Sequence, residues 1–143
     1  MKKKLLVLLF PFFLTGCFFG EVGSGFTTRT CTRETILDDV SLIEQKIIKQ
    51  RDNNVVSITV INKINGKNNN TFKSLKNSYL SEVNSLKQFN ITTNIVDELE
   101  NEYSVSYEFD FSKISDEIKE KYEFEDLYHN QLKKYENDGY KCK

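Results

Sequence analysis

Tyr103, Val105, Tyr107, Phe109 and Phe111 alternate with Ser104, Ser106, Glu108 and Asp110 without a break. A side-chain period of two belongs to a strand with one dry and one wet face, not to a helix. Strict alternation of this kind puts the aromatic face in a core; the other reading is a stacking platform for sugars or peptides. The run Val55-Val56-Ser57-Ile58-Thr59-Val60-Ile61 is a second strand by its β-branching, with Val56, Ile58 and Val60 on one face. Arg51-Asp52-Asn53-Asn54 before it reads as a turn, which makes Val40 to Gln50 the other arm of a hairpin. Ile36, Val40, Ile43 and Ile47 also have helical spacing, but the turn and the partner run favour a strand. Thr28 to Thr35 reads as a short first strand around Cys31.

Phe72, Leu75, Tyr79, Val83 and Leu86 recur every three or four residues, as in an amphipathic helix. Thr71 suits its cap, and Lys73, Lys76, Glu82 and Lys87 suit its wet side. Ile91 to Val96 is again β-branched and leads through the acidic turn Asp97 to Glu102 into the alternating strand. Ser112 or Ser115 opens a short helix, with Asp116 and Glu117 suited to its first turn. A last helix carries Phe124, Leu127, Tyr128, Leu132 and Tyr135 on one side and ends at Gly139. The expected fold is α+β, a two-layer antiparallel sheet in hairpin–helix–hairpin–helix order with the helices on one face. At 143 residues with one proline, the chain fits a single domain of this kind.

The start of the chain obeys a different pattern. Met1-Lys2-Lys3-Lys4 is cationic, and Leu5 to Leu14 is an apolar run interrupted by Pro11. Ten residues are too few to span a bilayer, which takes about 20, but they suit the apolar region of an export signal. The run closes on Leu14-Thr15-Gly16-Cys17, which resembles the lipobox of bacterial lipoproteins. The resemblance implies a signal peptide over residues 1–16, cleavage between Gly16 and Cys17, and fatty acyl chains such as palmitate on Cys17. More than one chain is physically sensible, because a single acyl chain binds a membrane only marginally. Residues 17–29, with Gly20, Gly23 and Gly25, have linker composition and a flexible reach of roughly 20 Å. Residues 30–143 would then be an extracytoplasmic domain held at the cell membrane. Three of the 20 basic residues lie in the signal, so the remainder is acidic by four charges, which disfavours nucleic acid as a partner.

With Cys17 committed to lipid, Cys31 and Cys142 are left. An even count in an exported domain suggests a disulfide; two free thiols, or a metal-binding or catalytic thiol, are the alternatives. Closing a loop of that length is worth roughly 4.7 kcal/mol in the chain-entropy treatment.

Groups with catalytic potential are few. His129 is the single histidine and stands four residues after Glu125, an ordinary exposed helix spacing. Glu98, Glu100 and Glu102 decorate a turn, while Glu123, Glu125 and Asp126 suit a helix start. No calcium-loop spacing, zinc-ligand spacing, nucleophile elbow or glycine-rich phosphate loop is present, so no metal, cofactor or catalytic residue is expected. The lipobox, the Gly-rich tether, Thr30-Cys31-Thr32 and the terminal Gly139-Tyr140-Lys141-Cys142-Lys143 together resemble the YehR-like group of small, uncharacterised lipoproteins. That resemblance implies localisation and fold. The expected function is non-catalytic binding of an extracytoplasmic protein or peptide; an envelope hydrolase using His129 and the carboxylates, or an inhibitor or immunity-type lipoprotein, is the alternative.

Overall fold

In the computed structural model, which describes residues 25–143, the alternating run becomes β5 (Glu102–Asp110). β5 lies between β3 (Asn54–Gly66) and β4 (Thr92–Glu98) in a six-stranded antiparallel sheet. β2 (Val40–Arg51), β1 (Thr27–Leu37) and β6 (Lys141–Cys142) complete it in the order β4-β5-β3-β2-β1-β6. Three helices, α1 (Asn70–Lys87), α2 (Asp116–Lys121) and α3 (Tyr128–Asn137), make the fold α+β.

Register explains which face is dry. Ile58, Val60, Asn62 and Ile64 of β3 stand opposite Phe109, Tyr107, Val105 and Tyr103 of β5, and all eight are buried. The aromatic alternation is therefore core and not a platform, except that Phe111 falls just beyond the strand. From β2 the same face receives Ile48, Lys46, Glu44, Leu42 and Val40. Phe72, Val83 and Leu86 of α1, Ile118 of α2 and Tyr135 of α3 belong to the same buried cluster.

Val40 to Arg51 is a strand despite its helical spacing, because both neighbours pair along nearly its whole length. The turn after it has Asp52 and Asn53 at φ 52 and 62, the left-handed pair that suits a two-residue hairpin. Asp38 and Asp39, at φ 48 and 64, form a second such turn that extends β1 to Leu37. β1 also begins at Thr27, inside the stretch read as tether. β3 runs on to Gly66, where a Cβ would come within 2.5 Å of the Asp39 carbonyl oxygen, so only glycine fits.

Two local readings need correction. Asn69 caps α1, its Oδ1 accepting from the Phe72 N–H at 2.9 Å, whereas the Thr71 hydroxyl donates to Asp38. α3 begins at Tyr128, so Phe124 is a loop residue; its ring instead packs on Phe109 and Phe111. Of the two serines, Ser115 caps α2.

Candidate functional site

Gly16 and Cys17 lie outside the described residues. Cys31 and Cys142 form a disulfide, S–S 2.01 Å, between directly opposite positions of β1 and β6. The flanking residues close the strand pair: the Thr30 N–H donates to the Lys143 carbonyl at 3.1 Å and the Lys143 N–H to that of Thr30 at 2.9 Å. Without the cross-link a two-residue strand has little to hold it. The bond therefore fixes one edge of the sheet.

His129 is tied to a turn. Its Nδ1 lies 2.8 Å from Asn53 Nδ2, and its main-chain N–H donates to Asn53 Oδ1 at 3.3 Å. These contacts, with the Tyr128 N–H on the Asn53 carbonyl, seat α3 on the β2–β3 turn. The predicted carboxylates are mostly held by lysines: Glu98 by Lys76, Glu102 by Lys63, Glu123 by Lys134 and Asp126 by Lys119. Glu125 contributes its main-chain N–H to the buried Gln131. Among the described residues, no three His, Cys, Asp or Glu side chains gather as a metal site.

A different polar cluster lies between β2 and the helices. Glu82 of α1 accepts from the Tyr107 hydroxyl at 3.1 Å and from the Tyr122 hydroxyl at 2.9 Å. Glu44 of β2 receives Arg33 at 2.6 Å and the Tyr140 hydroxyl at 3.2 Å. The Arg33 guanidinium also stands 4.6 Å from the centre of the Tyr140 ring. Lys46 belongs to the same inward row, and burial lowers its pKa against the opposing pull of Glu44 and Glu82. Burial pushes the Tyr79 phenol up to about 12 and drives Tyr107, Tyr122 and Tyr140 upward as well, with Glu82 or Glu44 adding to each. All four phenols stay protonated at neutral pH, and those of Tyr107, Tyr122 and Tyr140 serve as donors. Arg33 and Lys46 balance Glu44 and Glu82 in charge, so the cluster neutralises itself. Asn62, opposite Glu44, leaves its buried Oδ1 without a protein partner.

Sequence reasoning missed this cluster because it put Glu82 on the wet side of α1. One signal was present: Glu44 and Lys46 share strand parity with Val40, Leu42 and Ile48, which marks them as inward.

Beside the disulfide, around the β1–β6 edge, runs a groove of about 660 Å³ lined by Thr30, Thr32, Arg33, Glu34, Ile36, Gly139, Lys141 and Lys143. It joins two hydroxyls, two ammonium groups, the Arg33 guanidinium, the Glu34 carboxylate and one isoleucine that is 74% exposed.

No family model and no curated protein matches the sequence. A solved structure does resemble the fold: the NMR structure of a protein from Streptococcus pneumoniae TIGR4, at 12% identity and a TM-score of 0.51, covering 100% of this chain and 97% of that one. At that identity the likeness speaks for the fold alone.

Proposed function

We propose that the protein is a lipid-anchored extracytoplasmic lipoprotein that binds an envelope protein or peptide without catalysing a reaction. The order of cationic start, apolar run and Leu14-Thr15-Gly16-Cys17 supports the anchor. Among the described residues no helix is long and apolar enough to cross a membrane. The helix contacts above fall on the face of Ile58 and Val60, in keeping with a two-layer arrangement that has its helices on one side. That arrangement leaves the opposite face, with Ile43, Ile47, Ile61, Thr30 and Thr32, available to a partner.

The groove beside the disulfide carries the binding reading. It offers hydrogen-bonding hydroxyls and three cations, Arg33, Lys141 and Lys143, against the single carboxylate of Glu34, on paired backbone, which suits an extended peptide with acidic side chains. Glu82 is engaged by the Tyr107 and Tyr122 hydroxyls and Glu44 by Arg33 and the Tyr140 hydroxyl, so both carboxylates act in holding the layers together.

Complementation of a deletion strain at matched protein level tests this reading. Cys17→Ala is expected to abolish fatty-acid incorporation and the physiological role, and Lys141→Glu with Lys143→Glu to lose the role while keeping the anchor. His129→Ala is expected to retain both. Persistent acylation of Cys17→Ala, or loss of the role in His129→Ala, overturns the proposal.

A further inference from the structure

β1 is paired with β2 from Thr27 to Leu37 without a register shift, whereas on its other side β6 stands opposite Cys31 and Thr32 alone. Both main-chain groups of Thr30 bond to Lys143 across that side. Antiparallel hydrogen bonding alternates along a strand, so Glu34 and Ile36 point their N–H and C=O groups the same way. Among the described residues no strand stands beside those two. One half of the β1 edge is closed, and the other is open.

The open half, Glu34-Thr35-Ile36-Leu37, holds neither proline nor lysine, the residues that ordinarily shield an edge. Ile36 and Leu37 are both exposed. By strand parity the side chains of Thr30, Thr32, Glu34 and Ile36 share one face, and all four line the groove beside the disulfide. Lys141 lines it too and enters no ion pair among the described residues. At Gly139, just before β6, an added Cβ would meet nothing within 4 Å, so the space at the end of that strand is clear.

We infer that the open half of β1 binds an extended peptide as an added strand, lying in line with β6 and bonded to the N–H and C=O groups of Glu34 and Ile36. This rests on the peptide-binding reading of the groove and supplies its mode. The occupant needs an apolar side chain over Ile36 and an acidic one at Lys141. The Glu34 carboxylate is held by the Ser41 hydroxyl at 2.7 Å, and Asp38 and Asp39 close the far end, so the acidic group belongs at the Lys141 end. A second copy of the chain does not meet these needs. Antiparallel pairing of two β1 edges through these groups sets Glu34 against Ile36, against Asp38 or against itself, according to register. The chain's own ends are directed elsewhere. β1 begins at Thr27, about 30 Å from Ile36 along the strand, and β6 runs away from Glu34 to reach Lys143.

A displayed library of random linear peptides, selected on the full chain purified in detergent, tests this. Retained peptides are expected to protect the Glu34 and Ile36 amides in hydrogen exchange. N-methylation along their backbones should weaken binding at least tenfold, and at alternate positions only. Ile36→Pro removes an outward N–H while leaving the β2 ladder intact, and should cut affinity at least tenfold; Ile36→Ala keeps the N–H and should lose less. A cooperative melt reports that each variant is folded, and if Ile36→Pro does not fold, the N-methylation pattern decides alone. Peptides that lose affinity for Lys141→Glu but tolerate N-methylation throughout overturn strand addition and leave the binding reading of the groove standing. Absence of retained peptides overturns both. Glu34 and Ile36 amides already protected before peptide is added show the edge occupied and overturn the inference.

Discussion

At one edge of the sheet, a two-residue strand is bolted to β1 through Cys31 and Cys142; at the other, a seven-residue strand holds to β5 by hydrogen bonds alone. β6 is too short to pair stably unaided, and the covalent bond substitutes for ladder length. β4 is long enough to pair without help, and its length leaves a row of backbone groups facing outward. The comparison separates two problems: keeping a short edge attached, and keeping a long edge from pairing indiscriminately. The first is solved within the chain. The second is met in part by the bulge at Val96, which interrupts the regular pairing surface of β4 after Ile95.

The largest expected effect comes from opening the staple. Cys31→Ser with Cys142→Ser removes a cross-link between residues 111 apart and is expected to lower unfolding free energy by up to about 4.7 kcal/mol, read from urea denaturation. Because the cross-link acts largely on the unfolded chain, the global loss is felt at both edges. Local fraying should be confined to the Thr30 and Lys143 amides, read by hydrogen exchange. Equal fraying at β4 would break the comparison.

Glu82→Ala comes next. It strips the acceptor from the Tyr107 and Tyr122 hydroxyls beneath α1, at an expected cost of about 1–3 kcal/mol. Glu82→Gln keeps an acceptor and should lose less. Since α1 flanks β4, exchange should quicken on the open side before it does so beside the disulfide; the reverse order would count against α1 as the support of that edge.

The smallest effect concerns Asp110, at the end of β5. The Ser112 hydroxyl, then Lys113 and the Ser112 N–H, hold its carboxyl at about 2 against an ordinary 3.8. A depressed carboxyl stabilises fully above its unfolded value and loses that contribution as pH falls through the folded one. Asp110→Asn should therefore flatten the fall of unfolding free energy between pH 4 and pH 2, by less than about 1 kcal/mol at this solvent-screened position. An unchanged acid limb would place the acid sensitivity elsewhere, with the carboxylates nearer the edges as the next to examine.

Legibility in the sequence followed the range of the interactions. The buried face of β5, the β2–β3 turn at Asp52-Asn53 and the amphipathic stripe of α1 rest on contacts within a few residues. Asn69 displaced Thr71 as the cap because its side chain also reaches the Asp38 carbonyl, 31 residues away. Phe124 left the predicted helix because Phe109 and Tyr122 offered its ring a better seat than a helical turn would. The polar cluster escaped notice for the same reason: Glu82, Tyr107 and Tyr122 meet only after the layers close.

By itself, then, the sequence determined periodicity: which segments alternate, which carry a helical stripe, where glycine and paired Asp-Asn residues permit a turn, and that two cysteines stand near the ends of the folded unit. Those properties are local, set by backbone sterics and side-chain spacing. Tertiary structure decided the neighbours. It placed β5 between β3 and β4, brought Cys142 opposite Cys31, turned Glu82 inward and left β4 at an open edge. Strand order and charge pairing depend on contacts whose free energy appears only when distant segments exclude water together, and no local pattern encodes which partner will be found.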